Sequence, residues 1–121
     1  MKQSETGKTY DLEERTFRFA KRVREFVKDI PRTICNLEDG KQLVRSSGSV
    51  GANYIEANES LSKKDFLMRI KIAKKEAKES RYWLRLLDLE PKEVLEHVRE
   101  ELIQESTELM NILAAIQGKS K

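Results

Sequence analysis

Lys71, Lys74, Lys75 and Lys78 follow an i, i+3, i+4, i+7 spacing, so on a helix they share one face. Arg81, Tyr82 and Arg85 extend that face, and Lys63 and Lys64 precede it. A second cationic strip, Arg15, Arg18 and Arg22 with Lys21 or Arg24, lies upstream. Clustered ammonium and guanidinium groups hold phosphates without further machinery, by displacing the counterions condensed on a nucleic acid. The chain also offers these cations an internal destination. Between Asp88 and Glu108 there are eight acidic and two basic residues, whereas Lys63 to Arg85 holds nine basic and three acidic. The acidic run Glu93, Glu96, Glu100 and Glu101 can neutralise a basic face within or between subunits. Two readings stay open: nucleic-acid binding through Lys63, Lys64, Lys71, Lys74, Lys75, Lys78, Arg81, Arg85, Arg18 and Arg22, or a solvated, internally paired face.

No catalytic constellation accompanies these charges. Glu76 and Glu79 flank Ala77 close to a helix seam, but nothing nearby supplies the nucleophile or metal a catalytic carboxylate pair requires. The simpler reading is a structural polar network. Arg45 pairs with Glu76 or Glu79, and Asn53 bonds across helices, which sets register more than it adds stability. A bundle di-iron site needs Glu-x-x-His on two helices. His97 is the only histidine, and Val94 stands where that glutamate belongs. No metal and no cofactor are therefore expected, and His97 reads as a surface residue. A single cysteine, Cys35, excludes an intrachain disulfide and suits a reducing, cytoplasmic setting. Tyr82 and Trp83 are adjacent and cannot both face one core. One of them belongs at an interface or a bundle end, with base stacking as a further use.

The elements that position these residues follow from hydrophobic spacing. At 121 residues, 37% charged and with two prolines, the chain suits one helical domain. Residues 1–10 are polar and read as a flexible N-terminus without an apolar signal core, and no apolar run is long enough to span a membrane. Leu12, Thr16, Phe19, Val23, Phe26 and Ile30 recur at 4-3-4-3-4 spacing, with Phe17, Ala20 and Val27 widening the stripe until Pro31 ends it. Asn36 can cap a second helix that runs through Leu43, Val44, Ser47, Val50, Tyr54 and Ala57. Ser62 caps a third, with Asp65 at its third position. Its stripe is Phe66, Ile70, Ala73, Ala77, Ser80, Leu84 and Leu87. Pro91 opens a fourth, carried by Leu95, Val98, Leu102, Leu109, Leu113 and Ile116 and closed by Gly118.

These stripes predict an all-α, antiparallel up-down-up-down four-helix bundle over residues 11–117, with helices at about 11–30, 36–59, 63–88 and 91–117 and a tail at 118–121. Gly48 and Gly51 each cost about 1 kcal/mol inside a helix relative to alanine. Their presence points to close helix packing, and the small middle of the third stripe, Ala73, Ala77 and Ser80, is the expected counterpart.

The run Gln42 to Tyr54, QLVRSSGSVGANY, closely resembles the signature of the four-helix-bundle family of 23S rRNA-intervening-sequence proteins, as do Ser62 to Phe66, Lys75 to Ala77 and Glu79 to Leu84. The match covers most of the first three helices, and the fourth agrees only in pattern. The resemblance implies a homo-oligomer, a pentameric ring of bundles. It further implies RNA or DNA binding of the kind shown by a basic accessory protein of diversity-generating retroelements, which also binds a reverse transcriptase. It implies no enzyme activity. The competing reading is a protein-interaction scaffold that does not touch nucleic acid.

Overall fold

The computed structural model describes residues 11–120. The segment 1–10, read above as flexible, lies outside the described residues, as does Lys121. Four helices follow one another, α1 (Leu12–Asp29), α2 (Ile34–Asn58), α3 (Lys63–Leu86) and α4 (Glu93–Lys119). Short connections make successive helices antiparallel. Each helix packs on two others around a square, α1 and α3 both lying against α2 and α4, and the diagonal pairs make no backbone contact. No strand occurs among the described residues, and no helix is long and apolar enough to cross a membrane.

Three helix starts are closed by a side chain that satisfies an otherwise orphaned N–H. Asp11 accepts from the Glu14 amide at 2.8 Å, Thr33 from Asn36 at 3.1 Å and Ser62 from Asp65 at 3.1 Å. The second of these corrects the sequence reading. Thr33, not Asn36, caps α2, which begins two residues earlier than expected. Asn36 is withdrawn from capping because its buried side chain joins two distant loops. Its Nδ2 donates to the carbonyls of Pro31 (2.9 Å) and Asp88 (2.8 Å), and its Oδ1 accepts from the Asp88 amide (3.0 Å).

The fourth helix also differs at both ends. Pro91 stands before α4, since Glu90 takes a left-handed φ of 57° and the Lys92 amide closes a turn onto the Glu90 carbonyl at 2.8 Å. Gly118 does not end it. A Cβ there would meet nothing within 4 Å, and the helix runs on to Lys119. The tail is correspondingly shorter.

The core holds Phe19, Val23, Phe26, Leu43, Val50, Ile70, Leu84, Leu102, Leu109 and Leu113, all essentially inaccessible. Phe17 departs from the expected stripe. It is 59% exposed on the α1–α2 side, because it sits one position past the Thr16 phase that points inward. The small residues serve two neighbours and not one. Ser46 meets Ser80 of α3, hydroxyl to hydroxyl at 2.8 Å. The glycines turn instead to α1. A Cβ on Gly51 would lie 2.7 Å from Thr16 Oγ1 and 3.1 Å from its Cβ, and one on Gly48 would lie 3.3 Å from the Arg24 guanidinium. Gly51 therefore sets the close approach of α1 to α2.

Candidate nucleic-acid interface

Helix α3 carries two stripes of the same 4-3 spacing on opposite sides. One is the core row of Ile70, Ala73, Ala77, Ser80, Leu84 and Leu87. The other, roughly half a turn away at 100° per residue, is Lys64, Met68, Lys71, Lys75, Lys78, Tyr82 and Arg85, every member exposed. At a rise of 1.5 Å per residue this ridge is roughly 32 Å long. It is broken only by Met68 and Tyr82.

The remaining cations of α3 are directed elsewhere. Lys74 Nζ donates to Gln117 Oε1 at 2.9 Å, and Arg81 donates to Thr107 Oγ1 at 3.2 Å, so both lean into the seam with α4. Arg69, on the other flank, donates to Asn53 Oδ1 at 3.1 Å, while Asn53 Nδ2 donates back to the Ser49 carbonyl at 2.9 Å. Lys63 is exposed beside the helix start.

Arg15, Arg18 and Arg22 of α1 are paired with carboxylates, whereas Arg24 donates to the Ala20 carbonyl at 3.1 Å. Arg15 meets Glu105 at 2.7 Å and Glu108 at 2.6 Å, and Arg22 meets Glu101 at 2.6 Å. Arg18 meets Glu14 one turn away at 3.0 Å. The hydrogen bonds that Arg15 donates to Glu105 push its guanidinium further above its already high range. Arg22 holds the Glu101 carboxyl below its usual range, and Gln104 with Arg15 does the same for Glu108. The acidic side of α4 thus faces α1. Of the anticipated run Glu93, Glu96, Glu100 and Glu101, only Glu101 bridges to another helix among the described residues, and Glu105 and Glu108 supply the rest. A matching period was present in the sequence. Arg15 and Arg22 are seven apart, as are Glu101 and Glu108, so antiparallel helices bring Arg15 level with Glu108 and Arg22 level with Glu101.

Among the described residues, no carboxylate lies within ion-pair distance of Lys63, Lys64, Lys71, Lys75, Lys78 or Arg85. The ridge therefore keeps its charge.

The polar network sits at the α2–α3 seam. Arg45 Nη2 donates to Glu79 Oε1 at 2.5 Å and stands 3.4 Å from Glu76 Oε1. The latter is an ion-pair distance without hydrogen-bond alignment, because the nitrogen is committed to Glu79, and Glu76 Oε1 has no hydrogen-bond partner. Burial, followed by the neighbouring Glu79, raises the Glu76 pKa against the pull of Arg45. The Arg45 guanidinium is pushed up, chiefly by Glu79. The hydroxyls of Ser46 and Ser80 on this seam are buried and engaged with each other, and that of Ser49 donates to the Arg45 carbonyl at 3.0 Å, so the network orders the seam. No group of three or more His, Cys, Asp or Glu side chains among the described residues could hold a metal ion. His97 is exposed and meets Glu101 at 3.1 Å.

Trp83 is half-buried, with its indole N–H buried and unpartnered. Tyr82 is 54% exposed and packs on Trp83 edge-on, with ring centroids 5.1 Å apart at 73°.

Comparison with known proteins places residues 8–115 within the family model described as 23S rRNA-intervening sequence protein. The fold is similar to the crystal structure of a protein of unknown function from the S23 ribosomal protein family of Bacteroides thetaiotaomicron. That similarity has a TM-score of 0.73 and 31% sequence identity, covering 87% of this chain and 96% of the other. No curated protein matches the chain.

Proposed function

The chain belongs to the 23S rRNA-intervening sequence protein family, and from that premise we propose a non-enzymatic, cytoplasmic homo-oligomer, a pentameric ring, whose α3 ridge binds RNA. The observation that carries this reading is the division of the basic residues. Arg15, Arg18 and Arg22 of α1 are spent on Glu101, Glu105, Glu108 and Glu14, while Lys64, Lys71, Lys75, Lys78 and Arg85 face solvent in one row. A row of uncompensated cations raises the local potential and attracts a polyanion with strong salt dependence. In a ring, each copy adds an equivalent row, and several weak contacts act together when one strand reaches more than one of them.

Self-association is supported by two shallow apolar grooves along the α1–α2 seam, away from the ridge. Phe17, Ala20, Ala52 and Ile55 wall one, and Val27, Leu37 and Val44 wall the other. A second copy of the chain is the occupant this reading assigns to them. Fluorescence anisotropy with a labelled structured RNA at low salt tests the binding. Wild-type protein should bind, and Lys71→Glu/Lys75→Glu/Lys78→Glu should not. Identical curves refute the reading. Light scattering tests the assembly, where a mass of 14.1 kDa refutes the ring. A host protein co-purifying after nuclease treatment, together with no RNA binding, supports the scaffold alternative.

A further inference from the structure

The ridge is not purely cationic. Tyr82 occupies the same helical phase as Lys71, Lys75 and Lys78, with Arg85 one turn further on. A tyrosine at such a position exposes an apolar ring in the path of any bound polyanion. The ring is restrained, because Trp83 supports it edge-on from the half-buried side. The one carboxylate in the shallow depression formed with Lys75, Lys78 and Tyr82 is Glu79. It is held by Arg45, so it does not compete for the flanking ammonium groups. A fixed aromatic face with cations one turn before and after it has a specific complement. That complement is an unstacked base whose neighbouring phosphates fall on Lys75, Lys78 and Arg85. A duplex cannot supply it, since its bases are paired and stacked inside, whereas a single strand or loop can.

We propose that Tyr82 is a base-stacking platform and that the ridge takes single-stranded nucleic acid, with Lys75, Lys78 and Arg85 holding the backbone on either side of the stacked base. This rests on the basic-surface reading and narrows its ligand. Phosphate contacts give affinity without discrimination between a nucleic acid and any other polyanion, and Tyr82 supplies that discrimination.

Trp83 is the chain's only tryptophan and reports on its neighbour. The test titrates full-length protein at low salt with an oligoadenylate of about twelve nucleotides, within the footprint range of single-strand binders, and separately with inorganic polyphosphate of equal charge. Tyr82→Ala should bind the oligoadenylate about tenfold more weakly, the scale of one base–aromatic stack, and polyphosphate as wild type does. Tyr82→Phe should match wild type on both. In wild type, Trp83 fluorescence should change more at saturation with oligoadenylate than with polyphosphate. This readout decides alone if Tyr82→Ala does not fold. Tyr82→Ala losing neither ligand, or losing both in proportion, overturns the stacking role while leaving the basic surface intact. Equal fluorescence changes with the two ligands do the same. Wild type that binds neither ligand overturns the stacking role and the basic-surface reading together.

Discussion

If the α3 ridge is the polyanion site, its salt dependence is set by the cations that lack an internal partner and not by the total the chain carries. Lys64, Lys71, Lys75, Lys78 and Arg85 are exposed and in line. With each neutralised phosphate on a single strand contributing about 0.7, those five predict a slope of log K against log salt near −3.5 per protomer. Raising salt from about 50 to 200 mM then weakens binding by about two orders of magnitude. Replacing Lys71, Lys75 and Lys78 with alanine, a good helix former, leaves two cations and reduces the slope to about −1.4. The control is Arg15→Gln/Arg22→Gln. It removes the same kind of charge from α1, where each guanidinium is already neutralised by α4 carboxylates. Its slope should equal that of wild type, and its affinity should fall slightly or not at all, because the three carboxylates of Glu101, Glu105 and Glu108 are left without these partners. Anisotropy with a single-stranded oligonucleotide short enough for one ridge, repeated across a salt series, reads both quantities. A slope unchanged by the triple alanine variant, or reduced as much by the α1 variant, refutes the division between paired and unpaired cations.

Two further outcomes follow from the packing and the buried carboxylate. Gly51→Ala should lower the thermal midpoint and Gly48→Ala should raise it, at matched protein concentration. The new Cβ at Gly51 meets Thr16, a buried residue whose hydroxyl is tied to the Glu13 carbonyl. An overpacking cost of about 1–3 kcal/mol therefore exceeds the helix-propensity gain of about 1 kcal/mol. At Gly48 the neighbour is the movable end of Arg24, so the gain dominates, at about 4 °C for a chain of this size; the reverse order in calorimetry contradicts the α1–α2 contact. Glu76 gives a pH dependence. Its folded pKa lies above its unfolded value, so the native state holds this proton more tightly. The contribution is fully present below the unfolded value and is lost as pH rises through the folded one. Glu76→Gln should therefore gain stability relative to wild type as pH rises across the carboxylate range in denaturant titrations, and a constant difference argues against a buried, under-solvated carboxylate.

Four helices were legible because each one's apolar residues hold a 4-3 rhythm that only a buried helical face requires. The details that were not legible depend on partners far along the chain. Thr33 and Asn36 are both competent caps, and the local sequence does not decide between them. Asn36 is claimed by Asp88, 52 residues away, and no window around α2 contains that contact. The glycines were legible as a sign of close packing but not of its direction, because a small residue names no neighbour. The same limit governs the interface. Arg22 and Lys78 are equivalent as sequence, one cation each on an amphipathic helix. They differ in what stands opposite, a glutamate row of α4 for the first and solvent for the second. The heptad match between Arg15, Arg22 and Glu101, Glu108 was the signal that separates them. It requires knowing that α1 and α4 are antiparallel neighbours, and that follows from the four-helix reading alone. Once those pairs are removed from the cation set, and Lys74 and Arg81 are assigned to the α4 seam and Arg69 to the α2 seam, what remains on α3 is Lys63 at the helix start and a single row with an aromatic ring in it. Counting basic residues describes how charged the chain is. Subtracting the pairs that the topology forces describes where a ligand can find that charge.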